Sequence, residues 1–235
     1  MKALILAAGR GTRLLPHTEK LPKCLTDVRG KSILERQLEA LAACGVHDVI
    51  VVIGHLGEQV EAHLRERYPS VTFVRNPDYA TTNSVHSLWL ARDLVSDDPE
   101  GFLVLNGDLI FTPAMVQKLL HADVECGIVI ERPASESNDM VDVKLEDGRI
   151  LYMGRDVPKE DISAEAVGPI KFSQKSGIEY LKTLEGRSAE WVFYLLSEFA
   201  QTHSVHGVWT DGEVWQEIDT IEDLEKAQKI FIDQS

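Results

Sequence analysis

Residues 3–25, ALILAAGRGTRLLPHTEKLPKCL, constrain this chain more than any other stretch. The unbroken apolar run over residues 3–8 reads as a strand buried on both faces, since a half-exposed strand would alternate. It breaks at Gly9 into a loop carrying Arg10, Gly11, Thr12 and Arg13. Glycine admits positive φ and lets backbone N–H groups close on an anion, while arginine offers a planar fork of donors to phosphoryl oxygens. Pro22 and Lys23 add a stiff backbone and a compact ammonium able to reach back over the same loop. A strand that ends in such a loop is expected to hold phosphate.

The charge balance agrees. Residues 1–26 hold five bases (Lys2, Arg10, Arg13, Lys20 and Lys23) and one acid, Glu19, in a chain of net charge −14. Positive charge concentrated at one loop of an acidic protein focuses that loop on an anionic ligand. The same acidity argues against nucleic acid as a partner, which would need an extended basic face. Cys24, Cys44 and Cys126 are an odd number at long spacings, so neither a zinc site nor a disulfide framework is suggested. The first apolar run is too short, and too soon interrupted by arginines, for a signal peptide or a membrane span. A cytoplasmic protein with no membrane partner is expected. With 235 residues and 44% hydrophobic content, one large α/β domain over residues 1–235 is the simplest organisation.

Further along, Ile33, Leu34, Leu38, Leu41 and Ala42 recur at helical spacing within residues 32–44, and Gly45 follows as a stop. A second buried strand is predicted over 48–53, a helix over 58–67 and a third strand over 71–74. Alternating helices and continuously apolar strands imply a parallel sheet covered on both faces by right-handed crossovers. Ligands of such sheets sit at the carboxyl ends of the strands, where the loop at residues 9–13 lies. The polar turn over 76–82 runs into a helix near Asn83 and leaves the same edge. Asn83, Ser84 and Ser87 are therefore candidates to touch a base or a head group, although an Asn at a helix start is also a common N-cap. A fourth strand over 101–106 ends in Gly107-Asp108, and a carboxylate just beyond a strand and facing a phosphate loop suits Mg²⁺.

From residue 125 the pattern changes. Strands are expected over 126–131 and 166–172, with a hairpin of 141–145 and 149–153 around Glu146-Asp147-Gly148. This half reads as a mixed β lid, with Arg155 and Lys171 as two further cations able to enter the site. Helices follow over 174–184 and 189–202. The cluster Trp191, Phe193, Tyr194 and Leu195 reads as core packing rather than a binding cage. Glu217 and Asp219 stand two residues apart in an extended segment and so point the same way. Either could join Asp108 at a metal, with Asp219 preferred. An acidic helix over 221–231 closes the chain, and its exposed apolar residues would allow a homodimer contact.

Gly9, Gly11, Thr12, Arg13, Pro22 and Lys23 together resemble the nucleotidyltransferase family whose signature is G-x-G-T-R followed by P-K. The GD at Asp108 and the W-x-E-I-D-T of residues 215–220 fall where that family places its metal ligands, so the resemblance spans nearly the whole chain. Within the family the turn N-P-D-Y-x-x-T-N-S-V-H-S-L and the closing E-I-D look most like the small bacterial cytidylyltransferases acting on phosphocholine, 2-aminoethylphosphonate or related phosphonates. The implied fold is a Rossmann-like three-layer α/β sandwich, with a mostly parallel central sheet. Residues 1–124 would form the nucleotide-binding half, and residues 125–235 the acceptor-binding half with the C-terminal helix. Two departures argue against the runner-up reading, one of the sugar-1-phosphate nucleotidylyltransferases that use UTP or dTTP. Gly154-Arg155-Asp156 stands where those carry Glu-Lys-Pro, and Thr82-Asn83-Ser84 stands where they carry G-T-A.

The resemblance implies CTP and a small anionic acceptor as substrates, with Mg²⁺ on Asp108 and Asp219. The nucleotide is expected against Leu6, Ala7, Ala8, Gly9, Gly11, Thr12, Arg13, Asn83, Ser84, Asn106 and Gly107. The acceptor is expected against Lys23, Tyr79, Ser87, Arg155, Lys171, Glu190, Trp215 and Glu217. A choline head would want the aromatic faces of Tyr79, Trp89, Trp191, Tyr194 or Trp215; an amino-alkyl tail would want Glu190 or Glu217. Arg13 would take the departing pyrophosphate and Lys23 the α-phosphoryl group. A non-catalytic nucleotide-sensing module is a second reading. A metal-dependent glycosyltransferase is a third, though Asn106-Gly107-Asp108 lacks its Asp-x-Asp.

Overall fold

A computed structural model describes residues 1–133 and 140–231. In chain order its strands and helices are β1 (Lys2–Ala7), β2 (Asp27–Val28), β3 (Lys31–Ser32), α1 (Ile33–Ala43), β4 (Asp48–Ile53), α2 (Gly57–Arg65), β5 (Thr72–Arg75) and α3 (Ser84–Val95). β6 (Phe102–Asn106), β7 (Leu109–Phe111), α4 (Pro113–His121), β8 (Cys126–Glu131), β9 (Val141–Glu146), β10 (Arg149–Gly154) and β11 (Ala164–Phe172) follow. The chain continues with α5 (Gln174–Lys182), α6 (Val192–Ala200), β12 (His206–Trp209), β13 (Trp215–Glu217) and α7 (Ile221–Ile230).

Nine strands form one sheet in the order β5-β4-β1-β6-β11-β8-β12-β10-β9, and β9 also curls back to pair with β11. The first four run parallel, with β1 central between β4 and β6. β11 joins antiparallel to β6, and from there the sheet is mixed. The expected lid is therefore continuous with the parallel half through the β6–β11 ladder, rather than a separate layer.

Why β1 is apolar from Ala3 onward is visible in its two faces. Leu4 packs into the cluster beneath α3, α5 and α6, while Ala3 and Ile5 pack into the cluster beneath α1, α2 and α4. Helices on both faces make three layers, which is the predicted architecture. A smaller cluster of Leu14, Val28, Ile33, Ile110, Ile218, Leu224 and Ala227 seats α7 beside the glycine loop.

Local chemistry sets the helix ends. Ser32 and Glu35 form a capping box on α1, and Gly45 at φ +80° lets the chain leave it. Asp147 (φ 48°) and Gly148 (φ 77°) make a two-residue turn in the hairpin expected around Glu146-Asp147-Gly148, between β9 and β10. α6 starts at Val192 and not near residue 189. The preceding backbone is already engaged, Asn83 N donating to Ser188 O at 2.9 Å and Val85 N to Glu190 O at 3.2 Å.

Candidate active site

The site lies at the carboxyl edge of β1 and β6, in a cleft of about 620 Å³. Gly11 starts a tight turn over Thr12–Leu14 in the left-handed region, at φ 61°. A Cβ on Gly11 would stand 2.9 Å from the Lys23 Cβ, so glycine here serves both the backbone conformation and the close passage of Lys23. Thr18 Oγ1 donates to Gly11 O at 2.7 Å and ties the loop to its own return.

β6 ends in the turn that presents Asp108. Gly107 N donates to Leu6 O at 2.9 Å, and a Cβ there would meet the Ala7 Cβ at 2.8 Å, so the turn lies directly on β1. From the opposite face of the sheet, buried Gln37 of α1 donates through Nε2 to both Asn106 O and Leu109 O at 2.7 Å. The antiparallel ladder of β7 and β13 then carries the C-terminal segment to this turn, with Glu217 opposite Leu109 and Ile218 N donating to Asp108 O at 2.9 Å.

Three carboxylates meet as a result. One oxygen each of Asp108, Glu217 and Asp219 lies within 4.8 Å of the others. Lys23 Nζ bonds Asp108 Oδ2 at 2.6 Å and also reaches Asp219, and Arg13 pairs with Asp219 Oδ2 at 2.7 Å. Burial alone would lower the Lys23 pKa, but Asp108 and Asp219 outweigh it and hold it up at about 12, so the ammonium stays charged. Burial raises the Glu217 carboxyl to about 8, assisted by the negative charges of Asp108 and Asp219. Asp108 Oδ1 is buried with no hydrogen-bond partner. An orphaned carboxylate oxygen among three clustered acids is the donor set of a hard divalent cation, and the residues present fit one.

Most of the predicted residues share this cleft. Its lining includes Leu6, Ala7, Ala8, Gly9, Arg10, Gly11, Thr12, Arg13, Lys23, Tyr79, Asn83, Ser84, Ser87, Asn106, Gly107, Asp108, Arg155, Glu217 and Asp219. Some of these play a different part from the one expected. Glu217, expected at the acceptor with the metal as its alternative, stands in the carboxylate cluster, because alternate residues of an extended run face the same side. Asn83 makes no side-chain cap; its Nδ2 donates to Ala189 O at 2.5 Å, and Ser84 Oγ accepts from Val192 N at 2.9 Å. Ser87 Oγ is buried against Asn76 Nδ2 at 3.1 Å.

Three predicted acceptor residues lie elsewhere. Lys171 Nζ donates to Leu120 O and Ala122 O at 2.9 and 2.7 Å, at the C-terminal end of α4 where unpaired carbonyls favour a cation. Glu190 is clasped by Arg187, Nε and Nη2 reaching it at 2.7 and 2.5 Å. Trp215 sits in the β7–β13 ladder opposite Phe111 and packs on the core. Trp89 lies under the Arg92 guanidinium, 3.7 Å from its ring centroid, outside the main cleft.

Sequence reasoning found the opposite wall only in part. Phe193, read as core, and Trp191 and Tyr194, read as core packing but also offered as faces for a choline head, line the cleft with Asn76, Thr82, Met140, Val141, Ala166 and Val167. Trp191 and Tyr194 are 53% and 38% exposed. Ser188 and Glu190 before them were the available signal, since they interrupt the apolar pattern where a helix was expected to begin.

The known proteins that this chain resembles handle nucleotides. It is 28% identical to CTP:phosphoglutamine cytidylyltransferase of Campylobacter jejuni over 96% of this chain and 98% of that protein. Choline-phosphate cytidylyltransferase of Streptococcus pneumoniae is 42% identical over a shorter stretch, 45% of this chain and 47% of that protein. The solved structure of the CTP:phosphocholine cytidylyltransferase from Streptococcus pneumoniae has the same fold, with TM-score 0.79 and 24% identity, over 98% of this chain and 99% of that one. The description of a MobA-like NTP transferase domain matches residues 3–230, from β1 through the last turn of α7, and the chain belongs to that family of nucleotidyltransferases.

Proposed function

We propose that this nucleotidyltransferase moves CMP from CTP onto a phosphate or phosphonate oxygen of a small acceptor and releases pyrophosphate. The observation that carries the reading is Lys23 and Arg13 paired with Asp108 and Asp219, in a cluster of three carboxylates beside the glycine loop. The names of the full-length and partial cytidylyltransferase relatives support CTP as the nucleotide.

The acceptor oxygen forms a bond to the α-phosphorus, and the bond from that phosphorus to the bridging oxygen breaks. Its electron pair leaves with pyrophosphate. A phosphate monoester is already ionised near neutral pH, its second pKa being about 6, so no general base is required. Catalysis then consists of aligning two anions that repel each other and neutralising charge as it develops. The glycine loop receives the triphosphate, Arg13 faces the departing pyrophosphate, and Lys23 faces the α-phosphoryl group and the incoming anion. Both cations are pre-oriented by Asp219, and Lys23 also by Asp108. Asp108, Glu217 and Asp219 would hold Mg²⁺, which when bound offsets nucleotide charge and polarises the α-phosphoryl oxygens. The wall of Trp191, Phe193, Tyr194 and Tyr79 would seat the acceptor and exclude water.

The test is pyrophosphate release with Mg²⁺, crossing CTP, UTP, dTTP and ATP against phosphocholine, 2-aminoethylphosphonate and glucose 1-phosphate. Turnover that needs CTP and a phospho- or phosphono-acceptor supports the reading. Turnover confined to the sugar phosphate with UTP or dTTP would overturn it, and nucleotide binding without pyrophosphate would favour a sensing module.

A further inference from the structure

Asp219 is the last residue of the chain to enter the carboxylate cluster, and both cations of the site, Lys23 and Arg13, pair with it. A carboxylate on a single methylene follows its own backbone closely, so the position of Asp219 depends on what fixes that backbone. Upstream the strand ladder does so: Glu217 stands opposite Leu109, and Ile218 N donates to Asp108 O at 2.9 Å. Downstream the strand stops at Glu217, and α7 starts at Ile221 with Thr220 as its N-cap.

Asp223, on the first turn of α7, supplies the downstream hold. Its Oδ2 accepts from Thr220 Oγ1 at 2.8 Å, from Thr220 N at 2.9 Å and from Asp219 N at 3.3 Å. Thr220 Oγ1 in turn accepts from Asp223 N at 3.2 Å, which completes a capping box. On α1 the corresponding carboxylate, Glu35, bonds Ser32 N and Ser32 Oγ and turns its other oxygen to Arg67. On α7 the same oxygen that caps the helix reaches one residue further back, to the amide of a member of the carboxylate cluster. The turn has a fixed base, because Leu224 and Ala227 pack with Ile218, Leu14 and Ile110. Asp223 does not itself belong to the cluster of Asp108, Glu217 and Asp219, and its Oδ1 stands 3.8 Å from Lys226 Nζ.

We infer that Asp223 is a positioning residue for the divalent-cation site. By holding the Asp219 amide it sets where the Asp219 carboxylate stands relative to Asp108 and Glu217, and so sets the affinity of the cluster for the cation. This rests on the part of the proposed function in which the three carboxylates hold a divalent cation, and not on the choice of nucleotide or acceptor.

The test measures Mn²⁺ binding to the protein alone by electron paramagnetic resonance, with thermal unfolding of the metal-free protein on the same samples. The variants are Thr220→Ala, Asp223→Ala and Asp223→Asn. Both alanine variants lose the capping box, so the unfolding temperature should fall in each. Only Asp223→Ala also releases the Asp219 amide, and it should weaken Mn²⁺ binding by roughly 10- to 100-fold, the usual cost of removing a group that orients a metal ligand. Asp223→Asn keeps an oxygen able to accept the same bonds and should recover most of the affinity. In pyrophosphate release the Asp223→Ala defect should appear as a higher Mg²⁺ requirement, with kcat at saturating Mg²⁺ changed far less. Wild-type Mn²⁺ affinity in Asp223→Ala, or an equal loss in Thr220→Ala, would reduce Asp223 to a helix cap and overturn the inference. A loss in Asp223→Asn as large as in Asp223→Ala would trace the effect to charge and overturn it too. The cytidylyltransferase reading survives each of these results. Absence of Mn²⁺ binding in the wild type would remove the cation site and this inference with it, whereas absence of pyrophosphate release with the Mn²⁺ pattern intact would remove the reaction reading and support the positioning role.

Discussion

At Lys23 a single ammonium serves two anionic neighbours at once, Asp108 and Asp219, within a short reach of the glycine loop. Lys23→Ala is expected to lower kcat by on the order of 10²- to 10³-fold, the usual cost of losing one charge-stabilising contact, and steady-state pyrophosphate assays check it. Glu217 makes a pH prediction. Its folded carboxyl titrates near 8 while the unfolded one titrates near 4.5, so between these values the folded state keeps a proton that the unfolded state has lost. Stability of the metal-free protein should therefore fall as pH rises through that window, and Glu217→Gln should flatten the fall. Urea unfolding at a series of pH values shows either outcome. The loop, Lys23 and Asp108 were legible in the sequence because the chemistry of phosphate demands those residue types at a strand end. The membership of Glu217 in the carboxylate cluster was only half legible: the spacing told that it faces the same side as Asp219, not what stood opposite.

Elements explain how those side chains are held. Gln37 is a buried amide on α1 whose Nε2 satisfies two carbonyls of the turn that carries Asp108. Gln37→Leu leaves both carbonyls without that donor, which should cost about 1–3 kcal/mol of stability. The same change should lower kcat as Asp108 loses its position, with urea unfolding and turnover measured on one preparation. Helix periodicity assigned Gln37 to α1 but not to this task, because the partner carbonyls lie far along the chain. The reverse holds for α6. Local apolar content argued for a helix beginning near residue 189, yet the backbone of Ser188 and Glu190 accepts hydrogen bonds from Asn83 and Val85 at the start of α3. That pairing takes Trp191 out of the helix and turns it into the cleft.

Among the described residues one nine-stranded sheet with helices on both faces spans both halves, so anything bound at the edge of β1 and β6 touches segments from each. A divalent cation and CTP should therefore stabilise the fold as a unit, by about 2.7 kcal/mol for a ligand present at a hundred times its Kd. Asp108→Asn should abolish the shift given by the cation, and thermal unfolding with and without Mg²⁺ measures both. The sequence by itself determined the layered α/β plan and the glycine–arginine loop at the end of β1, because continuous apolar strands, helical periodicity and turn chemistry act between near neighbours in the chain. Only the tertiary structure decided which wall faces the loop. Lys171 ends at the carbonyls of α4, Glu190 is held by Arg187, and Trp191 and Tyr194 enter the cleft. Each of those outcomes depends on a hydrogen bond, ion pair or packing surface that only the assembled fold supplies, and local patterns carry no record of it.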